Sequence, residues 1–543
     1  MKAFILSACV FACLLFGSVA PAFAQIAADP NDRLYTDLEI WMDRGLTGNL
    51  PPIRPYPVLL LKRVLADVAA RGTEADKALA DWYLSKIDGG SNLHGIASSW
   101  AATNTTGGYG ELGLEGSLQG SLNSYITYSA KAGAIDIGPG SPLLPEYQRS
   151  LVDYVADAAN KPGFLSLTPR MSMIGAAAIG TDSVYLQAGV LRTSYGPFWG
   201  DNAILSPTAP ESGQFCFVFN EGGVAVTVLF EMISPTSNSG AGGTTYGKYL
   251  SFGGLELHPY DWLTLGIFNS VVWGNRFEPM YLLPVISYYM QGLAGYADNS
   301  FIGLSGEIKL TQAVKAGLVL YLDDLGTEWL HLDFNFMLLA ALQAGVTWTP
   351  NLPFLTRLQV TNLIVTPYTY SHKPYTTDQS PTSLNYLEYT NQGQNMGPSI
   401  EPNSDRLEVQ ALIRPTPWLD LAPFTRFILH GNASDITGPN QWGAPNDGGT
   451  FDYGYDSIGY TYVPTTDRPN WIATRFLSQS VLEKVFQLGF DATAYLSTPV
   501  GEVQVKLSYT FEWVLDGSVA GIGPVAGNDS INNYLGVGVS FTY

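Results

Sequence analysis

Histidine, cysteine and serine are the residues whose spacing most readily indicates a catalytic or metal site, and here their spacing indicates neither. The chain has no His-Glu-x-x-His motif, no cysteine pair at metal spacing and no Gly-x-Ser-x-Gly elbow. The five histidines are dispersed, and they are His94, His258, His331, His372 and His430. We therefore expect no catalytic residues, no metal and no cofactor. An exported hydrolase would need a Ser–His pair that the sequence does not indicate.

One segment has the letters of a nucleotide-binding motif without its context. Gly108-Tyr109-Gly110-Glu111-Leu112-Gly113 matches Gly-x-Gly-x-x-Gly. A phosphate cradle of this kind needs a strand before it and a helix after it. The residues that follow alternate as a strand does, so we expect this segment to be part of a strand.

Two long segments are dense in aromatic, amide and carboxylate side chains. They span residues 431–479 and 371–404, the latter with its flanks. Aromatic rings stack on the apolar faces of sugars, and amides and carboxylates bond the hydroxyls. The candidate glycan contacts are Trp442, Tyr453, Tyr455, Tyr460, Tyr462, Trp471, Tyr375, Tyr386 and Tyr389. The alternative is that these rings form an interfacial girdle and the cores of folded loops.

In the predicted strands of this chain, apolar and polar residues alternate with a period of two. Val503, Val505, Leu507, Tyr509, Phe511 and Trp513 share one face of a strand, with polar residues between them. The last residues repeat this pattern and end in Phe541 and Tyr543, a terminal aromatic of the kind that the barrel-assembly machinery recognises. In a barrel the apolar face meets lipid and the polar face lines the lumen.

Composition favours the same fold class. Charged residues are 14%, aromatics are 13%, and there are 57 glycines. A soluble globular protein has about 25% charged residues. No stretch after the N-terminus has the roughly 20 apolar residues of a membrane-spanning helix. The net charge of −20 argues against a nucleic-acid partner.

The polar faces of the strands carry charges of both signs. They are Glu307, Lys309, Glu408, Arg414, Lys506 and Glu512. These mixed charges either line an open pore or pair and help to close it.

Connection lengths alternate between short and long, as in barrels with short periplasmic turns and long outer loops. Short turns are expected at 497–499, 415–417, 349–351 and 259–261, with long loops between them. Followed back to residue 93, the pattern predicts a transmembrane antiparallel up-and-down β-barrel of about 18 strands over residues 93–543.

Residues 25–92 have helical spacing instead, and predict a small periplasmic module of three helices. The first is expected to begin at Asp29-Pro30 and to end at Gly45, and the second runs from about Tyr56-Pro57 to Gly72. The third starts at Thr73, where Asp76 forms a variant capping box. So small a module buries little by itself, so we expect it to pack against the barrel mouth. Plugging the lumen and docking a periplasmic partner both remain open.

The first 24 residues have the form of a secretory signal peptide. Met1-Lys2 precedes an apolar run, and Ala22-Phe23-Ala24 is a small-x-small cleavage site. We expect cleavage after Ala24, export to the bacterial outer membrane and contact with its lipid. Lipidation at Cys13 is a minor alternative. Cys216 then has no partner in the mature chain.

Three stretches resemble the capsule-assembly protein Wzi family of outer-membrane barrels. The first runs from Leu34 to Pro57, and the third from Gly253 to Leu263. The second holds the motif residues Arg192, Gly196, Pro197, Ser206 and Pro210. The resemblance implies an 18-stranded barrel with periplasmic helices and no catalytic residues. It also implies a role in holding or organising surface polysaccharide.

Two functions follow as expectations. The first is a non-enzymatic barrel that attaches or assembles surface polysaccharide, capsular or exopolysaccharide, through its outer loops. The alternative is a porin or solute channel lined by the charges of the polar faces.

Overall fold

The computed structural model describes most of the chain from residue 29 onward. The ranges are 29–88, 93–104, 107–137, 168–233, 236–237, 247–274, 276–284, 290, 294–295, 298–325, 337–350, 352, 355–366, 384–385, 389–391, 394–431, 476–477, 480–519 and 523–543. The expected signal peptide, with Cys13, lies outside the described residues.

Three helices precede the barrel, and residues 29–88 are called the helical module below. They are α1 (Arg33–Asp43), α2 (Val58–Arg71) and α3 (Glu74–Asp88). Helix α2 ends at Gly72, as predicted. The predicted start of α1 is wrong by three residues, because its N-cap is Asp32. The Asp29 carboxylate instead accepts the Asn31 N–H at 3.0 Å, which forms a turn ahead of the helix.

The capping box at the start of α3 is present and also joins α3 to α1. Asp76 accepts hydrogen bonds from the Thr73 N–H at 3.0 Å and the Thr73 hydroxyl at 2.6 Å. The same carboxylate accepts Trp41 Nε1 at 3.0 Å and both terminal nitrogens of Arg44 at 2.8 and 2.9 Å. Burial raises the pKa of Asp76, but the bonds from Thr73 and Arg44 outweigh it and hold the pKa below its ordinary value.

Eighteen strands among the described residues close into one antiparallel barrel, as the sequence predicts. The strands are β1 (Leu93–Thr103), β2 (Gly108–Ser121), β3 (Ile126–Ile137), β4 (Thr168–Gly180), β5 (Val184–Leu191), β6 (Ser212–Glu221), β7 (Val224–Ile233), β8 (Lys248–Tyr260), β9 (Leu263–Gly274), β10 (Asn299–Lys309), β11 (Val314–Leu325), β12 (Met337–Trp348), β13 (Leu355–Val365), β14 (Ser404–Thr416), β15 (Leu419–His430), β16 (Glu483–Thr498), β17 (Gly501–Leu515) and β18 (Ser530–Thr542). Each strand pairs with the next one in sequence, and β18 closes the sheet on β1 with Phe541 opposite Ala97.

Smaller elements lie outside this sheet. One is a two-residue ladder that joins Ile53–Arg54 to Ser194–Tyr195. The others are the ladders of Thr236–Ser237 with Leu384–Asn385, Thr390–Asn391 with Gln394–Asn395, and Ser518–Val519 with Gly523–Pro524, and the 3-10 turn Pro279–Leu282. Of the described helices, none has both the length and the apolar character needed to cross a membrane.

The alternation of apolar and polar residues sets which face of each strand points outward. On β17 and β18, Leu507 and Val537 lie opposite each other and remain 37% and 44% exposed. Glu512, on the other face of β17, is fully buried inside the barrel. Large apolar side chains on the outside are the arrangement expected of a wall that faces lipid.

The two ends of the barrel differ in the length of their connections. At the end that holds Leu93 and Tyr543, the strands are joined by two to six residues, and we call this the turn end. The predicted turns at 259–261, 349–351, 415–417 and 497–499 all lie there. At the opposite end, the loop end, connections reach 52 residues between β15 and β16. The Gly108–Gly113 segment is part of β2, so its resemblance to a phosphate-binding motif is incidental.

Loss of the Asp76 carboxylate is predicted to loosen the helical module without unfolding the barrel. In Asp76→Ala the buried donors of Trp41 and Arg44 lose their acceptor, which costs about 1–3 kcal/mol. Hydrogen exchange of peptides covering 33–46 and 74–88 is therefore expected to accelerate roughly ten- to hundredfold. The matched control is Asp81→Ala, because Asp81 is exposed on the same helix. Equal exchange in the two variants would contradict the role given to Asp76.

Candidate functional site

A loop-end connection folds back into the barrel instead of extending away from it. This inward segment, residues 192–211, joins β5 to β6. Its side chains are among the most buried of the chain, with Phe198, Ile204 and Ser206 at most 1% exposed. Ser194–Tyr195 pairs with Ile53–Arg54 of the helical module, so a connection from the loop end meets residues that precede the barrel.

Three glutamines of the wall hold the backbone of the inward segment. Gln359 accepts the Trp199 N–H and donates to the Trp199 carbonyl, both at 3.0 Å. Gln410 donates to the same carbonyl at 3.0 Å. Gln343 accepts the Ala203 N–H at 3.1 Å and donates to the Asp201 carbonyl at 2.8 Å. These amides replace water for a backbone that has no secondary structure, which is what allows such a segment to be buried.

Phe198 fits against a part of the wall that carries no side chains. Gly317 on β11 and Gly345 on β12 are paired directly across the sheet. A Cβ atom on either glycine would lie 2.9 Å from the Phe198 ring. The two glycines therefore form the recess that the ring fills, and burying a phenylalanine in this way is worth about 1.5–3 kcal/mol.

Asp201 connects the inward segment to the connection between β13 and β14. Its carboxylate accepts the Ser399 N–H at 2.8 Å and the Ser399 hydroxyl at 2.6 Å. Arg406 Nη1 lies 3.1 Å from the same carboxylate oxygen. Tyr389, from the same connection, donates its hydroxyl to the Ile204 carbonyl at 3.0 Å. The two connections are thus bound to each other as well as to the wall.

Glu39 of α1 joins the helical module, the wall and the inward segment. Arg357 of β13 donates to one carboxylate oxygen at 2.7 Å, and Arg54 pairs with the other oxygen. The Arg357 guanidinium also lies 5.5 Å from the centre of the Trp199 ring. Burial raises the pKa of Glu39, but Arg54 and Arg357 outweigh it and hold the pKa below its ordinary value.

Further ion pairs fix the module to the wall around this contact. Asp37 of α1 pairs with Arg414, which also binds Asp420 at 2.8 Å. Asp43 lies 3.0 Å from Lys315 Nζ, and Lys86 of α3 lies 2.6 Å from Glu502. Burial lowers the pKa of Lys86 to about 8, despite the opposing effect of Glu502.

Apolar side chains complete the filling of the interior. A single contiguous cluster includes Leu61 and Tyr83 of the module, Phe198 and Leu205 of the inward segment, and Phe268 of the wall. The cluster therefore runs from the helices through the inward segment to the strands. In the part of the barrel that the structure describes, the module and the inward segment occupy the interior together.

The charges predicted on the polar faces point inward, and most are paired. Glu408 binds Arg426 at 2.6 Å, Arg414 binds Asp37 and Asp420, and Glu307 lies 3.2 Å from Lys315. Glu512 accepts hydrogen bonds from Gln487 and Tyr534. Lys506 remains exposed, and Lys309 is half-buried. The sequence left open whether these charges line an open pore or pair with one another and help to close it. Pairing describes the arrangement in the structure better.

The five motif residues of the family resemblance all belong to the inward segment. Arg192 pairs with Glu211 at 3.2 Å, and the Pro210 carbonyl accepts Asn391 at 3.3 Å. Gly196 has a φ of +148°, and a Cβ there would lie 2.2 Å from Asn202 Oδ1. Pro197 lies against Gly317, and Ser206 donates to Asp201 at 2.8 Å. The motif therefore encodes the shape of the segment that fills the barrel.

Of the candidate glycan contacts predicted from the sequence, only Tyr389 lies among the described residues. Trp442, Tyr453, Tyr455, Tyr460, Tyr462, Trp471, Tyr375 and Tyr386 lie outside the described residues. Tyr389 is fully buried, with its ring against Phe301 and Tyr321 and its hydroxyl bonded to Ile204. No face of this ring is left for a sugar, so the assignment of Tyr389 is corrected.

Sequence reasoning missed the residues that fill the interior. Glu39, Asp201 and Phe198 lie outside the period-two strands. Arg357 lies in a strand, but a polar residue on an inward face is expected in any barrel and does not by itself indicate a buried partner. The clearest available signal was Arg357 among the apolar residues of β13. Within the described ranges, no group of three or more His, Cys, Asp or Glu residues is arranged to hold a metal.

Filling the recess under Phe198 is predicted to dislodge the inward segment. In Gly317→Val the added methyl groups occupy the space of the Phe198 ring, and Gly317 contacts only side chains there. We expect ion conductance in planar bilayers to rise at least tenfold above the wild-type barrel. The control is Gly306→Val on the adjacent strand, opposite the exposed Leu265 and Leu318. Equal conductance of the two variants would contradict the conclusion that the Phe198 ring, packed against Gly317, helps to close the barrel.

Neutralising Glu39 is predicted to release the helical module, because Arg54 and Arg357 would be buried without a counter-charge. Losing one member of a buried ion pair costs about 3–5 kcal/mol. Glu39→Gln is therefore expected to accelerate hydrogen exchange of residues 33–43. Glu74→Gln is the control and is expected to leave this exchange unchanged, because the Glu74 side chain is 94% exposed. The folded pKa of Glu39 is lowered, so its contribution is fully present at neutral pH and is lost as pH falls through this lowered pKa. Exchange corrected for intrinsic rates should rise there in the wild type but not in Glu39→Gln.

Comparison with known proteins supports the fold. No protein-family model and no curated protein sequence matches this chain. Among solved structures, Wzi, an outer-membrane protein involved in group 1 capsule assembly in Escherichia coli and described as a carbohydrate-binding β-barrel, aligns over 95% of this chain and 99% of its own. The TM-score is 0.57 and the identity 11%.

Two outer-membrane proteins align less well. OprD from Pseudomonas aeruginosa covers 83% of this chain and 93% of its own, with a TM-score of 0.41 and 11% identity. OpdK from the same organism covers 83% and 98%, also with a TM-score of 0.41 and 11% identity. The resemblance to Wzi found in the sequence is confirmed at the level of the fold, which is a closed antiparallel β-barrel of 18 strands among the described residues.

Proposed function

We propose that this barrel attaches or helps to assemble surface polysaccharide, and that it does not conduct solutes. Its wall faces outer-membrane lipid, its turn end and helical module face the periplasm, and its long loops face the outside. The signal peptide would direct export and be cleaved after Ala24, and insertion would use the barrel-assembly machinery, which would read the C-terminal aromatic residue. No step requires an enzyme, a cofactor or a metal.

The filled interior is the observation that carries this proposal. A channel needs a continuous aqueous path, whereas here one apolar cluster extends from the module through the inward segment to the wall. The wall glutamines and the Glu39 ion pairs are satisfied by the segments that fill the barrel, not by solvent. A porin or solute channel, the alternative, would require these contacts to break.

The outer loops supply the chemistry for polysaccharide. The eight remaining candidate contacts of the 371–404 and 431–479 segments, Trp442 among them, are aromatic residues interleaved with amides and carboxylates. Rings of this kind stack on sugars while polar neighbours bond the hydroxyls. Wzi, which has a similar fold, is described as carbohydrate-binding, and this supports the same class of ligand here.

Deletion of residues 431–479 is predicted to abolish binding to polysaccharide purified from the surface of the host cell. Binding of the refolded wild-type barrel should be saturable in biolayer interferometry, and Trp442→Ala should weaken it at least tenfold if its ring stacks on a sugar. Trp418→Ala is the control, because Trp418 is an exposed tryptophan at the turn end. Folding of each variant is checked by heat-modifiable migration in gels.

Two results would refute the proposal. One is retention of full polysaccharide binding by the folded deletion variant. The other is steady ion conductance of the wild-type barrel in planar bilayers, well above that of the bare membrane, which would favour the channel.

A further inference from the structure

The described segments that fill the barrel leave one part of its inner wall exposed. Asp491 on β16 and Lys506 on β17 lie on the inward faces of their strands, and both residues are exposed. Within the described ranges, neither side chain forms an ion pair or a hydrogen bond. Other inward charges are paired, as Glu408 is with Arg426. These two charges therefore differ from the rest of the inner wall in being accessible and without a partner from the described part of the chain.

The register of the sheet places the two charges diagonally across neighbouring strands. Asp491 lies opposite Ser508, which is two residues along β17 from Lys506. Diagonal neighbours of this kind are roughly 7–8 Å apart. Asp491 and Lys506 are thus close enough to act on one small molecule, although they do not pair with each other.

A half-buried tryptophan ring adjoins the two charges. Trp100 on β1 lies opposite Gly538 on β18, which in turn lies opposite Lys506. A Cβ on Gly536 would lie 2.2 Å from Trp100 Cζ2, and a Cβ on Gly538 would lie 2.6 Å from Trp100 Cε3. These two atoms are on opposite sides of the six-membered ring, so the ring lies across both glycines, with one face against the wall and the other toward the interior. The Cβ on Gly536 would also lie 2.6 Å from Ser508 Oγ, so the ring edge reaches the strand that carries Lys506.

Trp100, Asp491, Lys506 and Ser508 are called the inner-wall patch below, and their chemistry selects a class of ligand. The face of a tryptophan ring and a carboxylate both attract a cation, whereas a lysine ammonium bonds an anionic group. A ligand with only a positive charge would be repelled by Lys506, and one with only a negative charge would be repelled by Asp491. A neutral ligand would displace water from both charges without replacing it. A molecule with one charge of each sign satisfies both residues.

We propose that the inner-wall patch binds a small zwitterion. Its ammonium group lies between the Trp100 ring and the Asp491 carboxylate, and its acidic group bonds Lys506. A quaternary ammonium suits an aromatic face, so a trimethylammonium group is the preferred cationic end. The Ser508 hydroxyl lies between the ring and the two charges and donates to the acidic group. The site is separate from the outer loops and does not depend on the proposed polysaccharide role.

The test is saturation-transfer NMR of the full-length barrel in a nonionic detergent, with glycine betaine as the probe. Betaine is expected to bind saturably, with a Kd on the order of 1 mM. Choline and acetate carry one charge each, and glucose carries none. All three are expected to bind at least tenfold more weakly than betaine.

Two variants remove one charge each from the patch. Asp491→Asn and Lys506→Gln are each expected to weaken betaine binding at least tenfold. Both side chains are exposed and have no partner in the described part of the chain, so the barrel should fold normally. Asp81→Asn and Lys77→Gln make the same chemical changes at exposed positions of α3 and should leave binding unchanged.

The deletion of residues 431–479 separates this site from the loops. Retention of betaine binding in the deletion variant, with its loss in Asp491→Asn and Lys506→Gln, supports the patch even if polysaccharide binding fails. Absence of saturable betaine binding to the folded wild type would overturn the proposal. So would binding that survives both charge-removing variants, because the zwitterion would then lie elsewhere. Equal binding of glucose and betaine would also overturn it, because the two charges would then play no part.

Discussion

The buried carboxylate of Glu39 is the contact on which the closed form of this barrel depends. Two guanidinium groups, from Arg54 and Arg357, meet it in the largely buried contact between the helical module and the wall. Removing Glu39 would leave both guanidinium groups without their counter-charge, at a cost of several kcal/mol. Because Glu39 lies on α1, Arg357 on β13 and Trp199 beside Arg357, this contact fixes the positions of module, wall and inward segment relative to one another.

The interior is filled by two different physical means. Around the inward segment, wall glutamines satisfy an irregular backbone, and a pair of glycines accommodates the Phe198 ring. Around the helical module, ion pairs and an apolar cluster hold regular helices whose backbone is already satisfied. A segment without secondary structure needs the amides, because each unsatisfied buried backbone group costs free energy comparable to a lost hydrogen bond.

The filled interior limits where a large ligand could bind to this barrel. A wall whose outer face is apolar and an interior held by its own segments leave the loop end as the surface most open to large polar ligands. The proposed polysaccharide contact therefore lies at the loop end, apart from the Glu39 contacts that hold the interior.

The sequence determined the barrel, its strand count, the short turns and the three helices, because each depends on local spacing. The period of two in Val503–Trp513 needs no knowledge of distant residues, nor does the capping box of Thr73 and Asp76. Only the tertiary structure decided that residues 192–211 fold inward, that Tyr389 is buried, and that Glu39 meets Arg357, 318 residues away in sequence. An inward polar residue looks the same in sequence whether it meets water or another segment, so whether the interior is filled depends on contacts between distant residues.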